Sequence, residues 1–339
     1  MSHRSLSTRT ARATRRTLAT VTATLLAATV AACGGGGSTT TNDDGTLNFS
    51  VALIEPDITT VPILAALDAV RQQGHQVKVV ELAEPELAIE GLAKGDYAFS
   101  AEATSPALIA IQQGAPIRII ADVVGNQWAV YGTTGVNTCD DLAGRPFGIF
   151  SEGAVATAMA KDWVRGTCAA GKEPRYLTIG GSDVRAQALL AGEIDATPLE
   201  ITDAVTLEAS GRTGFTRIAD FATSLPDLHP QTVYANADFI GDHREVTQLL
   251  VDALVAEHRK INENPQYLVD LVGKYLPDTK DPNVAQIAQR YVEGGLFDAA
   301  ALTDANVQGT IDFFVRAGVL KDGMTAADAA DLSFVKAGS

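Results

Sequence analysis

Five carboxylates fall where short polar turns follow apolar strands: Glu55 and Asp57 after 47–54, Glu102 after 96–100, Glu152 after 147–150, and Glu200 after 192–197. No lysine or arginine stands in those turns. Carboxylates accept hydrogen bonds and attract cations, so this set suits an amine, an aminopyrimidine or another nitrogen donor. A sulfonate or nitrate calls instead for a cation or a dense array of donors. Acids on turns are also commonly solvated, and some of the five are expected to point into water.

Other residues in the same turns widen the chemistry. Gln127 and Trp128 follow an apolar strand; Trp128 could stack on a ring or a cationic group, or serve as a packing aromatic. Ser151 to Ala154 and Gly180 to Asp183 open helices, where free backbone N–H groups and the positive dipole end favour an oxyanion. Ordinary N-capping by Ser151, Ser182 or Asp183 would use the same residues.

The elements that position these turns alternate between strand and helix. Residues 47–54 alternate and then turn fully apolar, as an inner strand does. A helix over 60–73 ends at Gly74, a strand spans 76–81, and a helix spans 84–94. The stretch 91–129 then reads as strand (96–100), polar turn (101–106), helix (107–113) and strand (117–124). Strands of 147–150, 175–179 and 192–197 follow, with helices between, and 214–219 is a further short strand. After 231–235 the chain reads as helices over 242–263, 265–275, 282–294 and 304–317. This order predicts an α/β fold with a mainly parallel sheet, whose ligand turns lie at strand carboxyl ends. A glycine-ended helix and an acid precede a strand twice, at Gly91 to Tyr97 and at Ala191 to Ala196, which predicts two similar halves with a cleft between them.

Enzyme signatures are missing. Ile149 to Gly153 lacks the first glycine of G-x-S-x-G. The five histidines (His3, His75, His229, His243, His258) show no metal-ligand spacing, and no phosphate-cradling G-x-x-x-x-G-K-[ST] run occurs. No catalytic residue, metal or cofactor is expected.

The first 32 residues carry five arginines and no acid, with an apolar run from Leu18 to Ala32. That run is shorter than the ~20 residues a bilayer span needs, and its flanks predict a secretory signal over 1–32. Val30, Ala31, Ala32 and Cys33 resemble the lipobox of bacterial lipoproteins, whose cysteine carries lipid; plain cleavage after Ala32 is the alternative. The polar, glycine-rich segment 33–45 reads as a tether. Arg15 and Arg16 also fit twin-arginine export. Removing 1–32 takes the formal net charge from −15 to −20, so nucleic-acid binding is excluded. Cys139 and Cys168 remain as an even pair in an oxidising compartment. A strand start and the end of the following helix lie close in a βα unit, so a disulfide is expected, worth roughly 3–4 kcal/mol for a loop of about 30 residues; two buried thiols are the alternative.

Several segments together resemble the substrate-binding proteins of ABC importers for sulfonates, taurine, nitrate and thiamine-precursor pyrimidines. They are Gly91 to Tyr97, Ser105 to Leu108, Gly114 to Pro116, Asp141 to Gly144, Ala188 to Ala196, and Gln308 to Phe314 with Ala317 and Gly318. The resemblance covers about 47–335. It implies a two-lobe, type II periplasmic-binding-protein fold with two hinge strands, near 128–133 and 231–236. Lobe 1 would take 46–128 and 236–339, and lobe 2 129–235. It further implies capture of a small solute without catalysis, a membrane permease as partner, a monomer held outside the cytoplasm by its lipid anchor, and ligand contacts at Thr104, Ser105, Ser151, Gly153 and Ala154. Asp57, Glu102, Gln127, Trp128 and Glu200 join this site on the strength of their turns.

Overall fold

A computed structural model describes residues 39–54 and 56–336. The expected signal, Cys33, Glu55 and the last three residues lie outside the described residues, and so does the first part of the tether, 33–38.

The first sheet contains β1 (Thr40–Thr41), β2 (Leu47–Ile54), β3 (Gln76–Leu82), β4 (Phe99–Ala103) and β5 (Ile117–Val124). The second contains β6 (Ala129–Gly132), β7 (Pro146–Ile149), β8 (Arg175–Thr178), β9 (Ala196–Leu199) and β10 (Thr216–Asp220). A last strand, β11 (Gln231–Asn236), returns to the first sheet and lies antiparallel between β4 and β5. The boundary expected at 235/236 puts most of this strand in the second half; its whole ladder is with the first sheet. The β2 pairings with β3 and β4 are parallel, as are those of β7 with β8 and β9. The chain crosses between sheets twice, at 125–128 and again between β10 and β11.

Helices α1 (Val61–Gln72), α2 (Pro85–Lys94) and α3 (Thr104–Gln112) belong to the first pass through the first sheet. Next come α4 (Val155–Thr167), α5 (Ser182–Ala191), α6 (Ile201–Ala209) and α7 (Phe221–Ser224). After β11, α8 (Ala237–Asp242), α9 (Arg244–Glu263), α10 (Pro265–Tyr275), α11 (Val284–Glu293) and α12 (Asp304–Arg316) close the fold. Among the described residues no helix is long and apolar enough to cross a membrane.

The repeated glycine signal has a physical basis. Gly95 (φ +79°) ends α2 and Gly192 (φ +75°) ends α5, both in the left-handed region that glycine adopts without a Cβ clash. In each case the glycine N–H and the next N–H bond back into the last turn, Asp96 N to Gly91 O at 2.8 Å and Glu193 N to Ala188 O at 3.0 Å. The turn then feeds β4 or β9 toward the same cleft.

Cys139 and Cys168 form the expected disulfide, with Cα atoms 5.0 Å apart. The polar turn expected at 101–106 is absent. β4 continues to Ala103 and α3 starts at Thr104, with Pro106 in its first turn, where a missing N–H is tolerated.

Candidate functional site

A cleft of ≈ 1620 Å³ runs between the carboxyl ends of the two sheets. Of the expected contacts it is lined by Asp57, Glu102, Ser105, Trp128, Ser151, Gly153, Ala154 and Glu200. The two sides already touch: Ser105 Oγ donates to Gly153 O at 3.3 Å.

Two expected contacts do not reach the cleft. Because α3 starts three residues early, Thr104 points into the core, where its hydroxyl donates to His229 O at 2.8 Å and meets Thr232 Oγ1 at 3.2 Å. Gln127 is buried in the first crossing; its Oε1 accepts from Tyr291 Oη and its Nε2 donates to Gln231 Oε1 at 3.3 Å. Glu152 likewise faces water and pairs with Lys161.

On the first-sheet side, Asp57 precedes α1 and its Oδ1 accepts from Thr59 N (2.9 Å) and Thr59 Oγ1 (2.7 Å). On the second-sheet side, the turn after β9 places Glu200, and α6 then presents Thr202 and Asp203. Ser182, at the start of α5, accepts from Glu200 N at 3.2 Å and bonds the Asp203 carboxylate, fixing two turns together.

These acids shape each other's ionisation. Burial raises Glu200 well above the carboxylate range, and Asp57, Asp203 and Glu102 add like-charge repulsion. Burial also raises Asp57 and Asp203. Burial and mutual repulsion therefore both disfavour full ionisation of the carboxylates in the cleft.

Sequence reasoning missed Arg185, which lines the cleft from the first turn of α5 and corrects the expectation of a wall without cations. Its guanidinium is engaged by the protein. Nε donates to Thr197 Oγ1 at 3.0 Å, Nη2 to Pro198 O at 3.1 Å, and Nη1 to Gly180 O. It also stands 6.0 Å from the centroid of the Trp128 ring. Burial pushes it down to about 10, so it stays charged at neutral pH. Beside Glu200 its attraction is outweighed by the repulsion of the three acids.

A further missed feature is Tyr291 on α11, fully buried behind the acids and bonded to Gln127 and Thr202. Its hydroxyl pins the first crossing to α6. No spacing in the sequence ties position 291 to 127.

The sequence model of a family described as NMT1/THI5 like matches residues 70–267, more than half of the chain. The chain belongs to the NMT1/THI5-like family. No curated protein matches it in sequence. Among solved structures it resembles the ligand-binding component of an ABC-type import system from Staphylococcus aureus, solved with zinc bound (12% identity, TM-score 0.69, 86% of this chain and 99% of that one). It also resembles the alkanesulfonate-binding protein SsuA from Xanthomonas axonopodis pv. citri bound to MOPS (14%, 0.66, 84% and 98%). The desulfurization enzyme DSZB shares the architecture as well (14%, 0.62, 86% and 98%). At these identities the likeness is one of fold: the two-sheet architecture is that of periplasmic binding proteins.

Proposed function

We propose that the protein is the solute-binding component of an ABC importer, catching a small cationic or nitrogen-rich organic molecule outside the cytoplasm and handing it to a permease. The observation that carries this reading is the set of carboxylates facing one another across the cleft, Asp57 and Glu102 on one side and Glu200 and Asp203 on the other. A cation seated among them relieves their repulsion, and Trp128 offers it an aromatic face. The one guanidinium identified in the wall is already bonded to the strand end, so an anion gains little from it. In this reading lobe 1 (46–128 with 236–339) and lobe 2 (129–235, less β11) close on the solute as a monomer, with lipid on Cys33 tethering the body to the membrane.

Capture rather than turnover is supported by the import-system binding proteins among the similar structures. The architecture does host an enzyme in DSZB, which makes an exported enzyme the second reading.

The test is a thermal-shift and calorimetric panel of aminopyrimidines, amines and guanidines against taurine, alkanesulfonates and nitrate. Binding of a nitrogen cation should raise the melting temperature and release a proton, seen as a dependence of the heat on the buffer's ionisation enthalpy. Saturable binding of a sulfonate with no response to any cation would overturn the ligand class, and turnover of a bound compound would favour the enzyme.

A further inference from the structure

Apart from the cleft, the second sheet carries a hollow of ≈ 430 Å³ that shares no lining residue with it. Its wall includes Tyr131 of β6, Glu208 of α6, Arg217 of β10, Arg290 of α11 and the Arg212 loop. Three guanidiniums around one small hollow are unexpected on a chain whose formal net charge is −15. The loop brings Arg212 there because Gly211 (φ +71°) and Gly214 (φ +98°) double it back against Thr134, whose Oγ1 donates to Gly214 O at 3.1 Å.

Each arginine keeps donors in reserve. Arg290 pairs with Glu208 at 2.6 Å, Arg217 with Asp220 at 2.9 Å, and Arg212 bonds Leu190 O. A guanidinium has five N–H donors, so none of the three is saturated by these contacts. Tyr131 also lines the hollow, where its phenolic O–H can donate to a ligand oxygen.

We propose that this hollow is a binding site for a small oxyanion, a phosphate or a compact carboxylate, held by Arg212, Arg217 and Arg290 and by a hydrogen bond from the Tyr131 hydroxyl. Paired N–H donors of guanidinium match two oxygens of such an anion, which a halide does not offer. Glu208 competes for the same arginine. An arriving anion takes over part of the Arg290 pairing and so acts on the link between α11 and α6.

Calorimetric titration of the full protein with inorganic phosphate and with citrate, at constant ionic strength and with chloride as control, tests this. Saturable binding of phosphate or citrate but not chloride is expected. Arg217→Gln should weaken it about tenfold or more, and Tyr131→Phe by a smaller factor. Glu208→Gln, which removes the competing carboxylate, should tighten it, an effect of opposite sign that general loosening of the fold would not give. Circular dichroism and melting of each variant confirm that it is folded. Absence of saturable binding of either anion up to tens of millimolar, or equal affinities in wild type, Arg217→Gln and Glu208→Gln, overturns the proposal.

Discussion

In the cleft, Arg185 stands among acids and yet leaves them unneutralised; in the hollow under β6, arginines of similar number of donors remain open. The difference lies in what each guanidinium already holds. Arg185 is buried and donates three of its five N–H groups to Thr197, Pro198 and Gly180, so its charge is felt while most of its donors are taken. Arg217 and Arg290 are half exposed and hold one carboxylate each. A charge serves a ligand only when its hydrogen-bonding capacity is still free, which is why a cation is proposed for the first region and an anion for the second.

The largest expected effect comes from breaking that contrast at Arg185. Arg185→Leu strands the Gly180 and Pro198 carbonyls, and urea unfolding should show a loss of about 3–5 kcal/mol. A variant that keeps its stability and instead loses affinity for an anion would mean that Arg185 faces the ligand after all. Next is Glu200→Gln. Affinity for a cationic ligand should fall about a hundredfold, equivalent to ~2–3 kcal/mol, because a buried charge partner is removed. The same change should stabilise the unliganded protein by about 1 kcal/mol at neutral pH, as relief of a strained binding site does.

The pH dependence sharpens the same point. Glu200 has its folded pKa raised, so between the ordinary carboxylate range and that raised value the folded state holds more protons than the unfolded one. Its contribution to stability is therefore present at low pH and is lost as pH rises. Chemical denaturation should show Glu200→Gln more stable than wild type at pH 8, with the gap closing toward pH 5. A gap independent of pH would assign the effect to packing. The smallest effect is expected for Asp57→Asn. Asparagine keeps the Oδ1 acceptor used by Thr59, so stability should hardly change while cation affinity drops by about 1 kcal/mol.

Most of the α/β alternation and the two glycine-ended turns could be read from the chain, because periodicity and left-handed caps are local. Glu200 was legible for the same reason: it follows a strand and precedes a helix. Arg185 was not, since an arginine in a helix reads as solvated. The available signal was its place one turn before Ala188 and Leu189, on the buried face of α5. Thr104 was misplaced by a boundary. Pro106 reads as the close of a turn, but it sits inside the first turn of α3, and that shift rotates Thr104 into the core. The disulfide was legible from the parity of the cysteines and the antiparallel return of a helix on its strand. The Tyr291 contact with Gln127 joins distant parts of the chain and has no local signature.

β11 fills the slot between β4 and β5, and Gln231 pairs with both Ala103 and Val124. During synthesis, β4 and β5 are made long before the strand that joins them. Until residue 236 is available, the first sheet has two open edges and cannot complete its core. The second sheet has no such wait, because all its strands are contiguous in the chain. Folding should thus finish the inserted half first and seal the outer half last, and a nascent chain ending before β11 would stay unfolded in its first third, a state in which a polypeptide can still be threaded through a membrane pore.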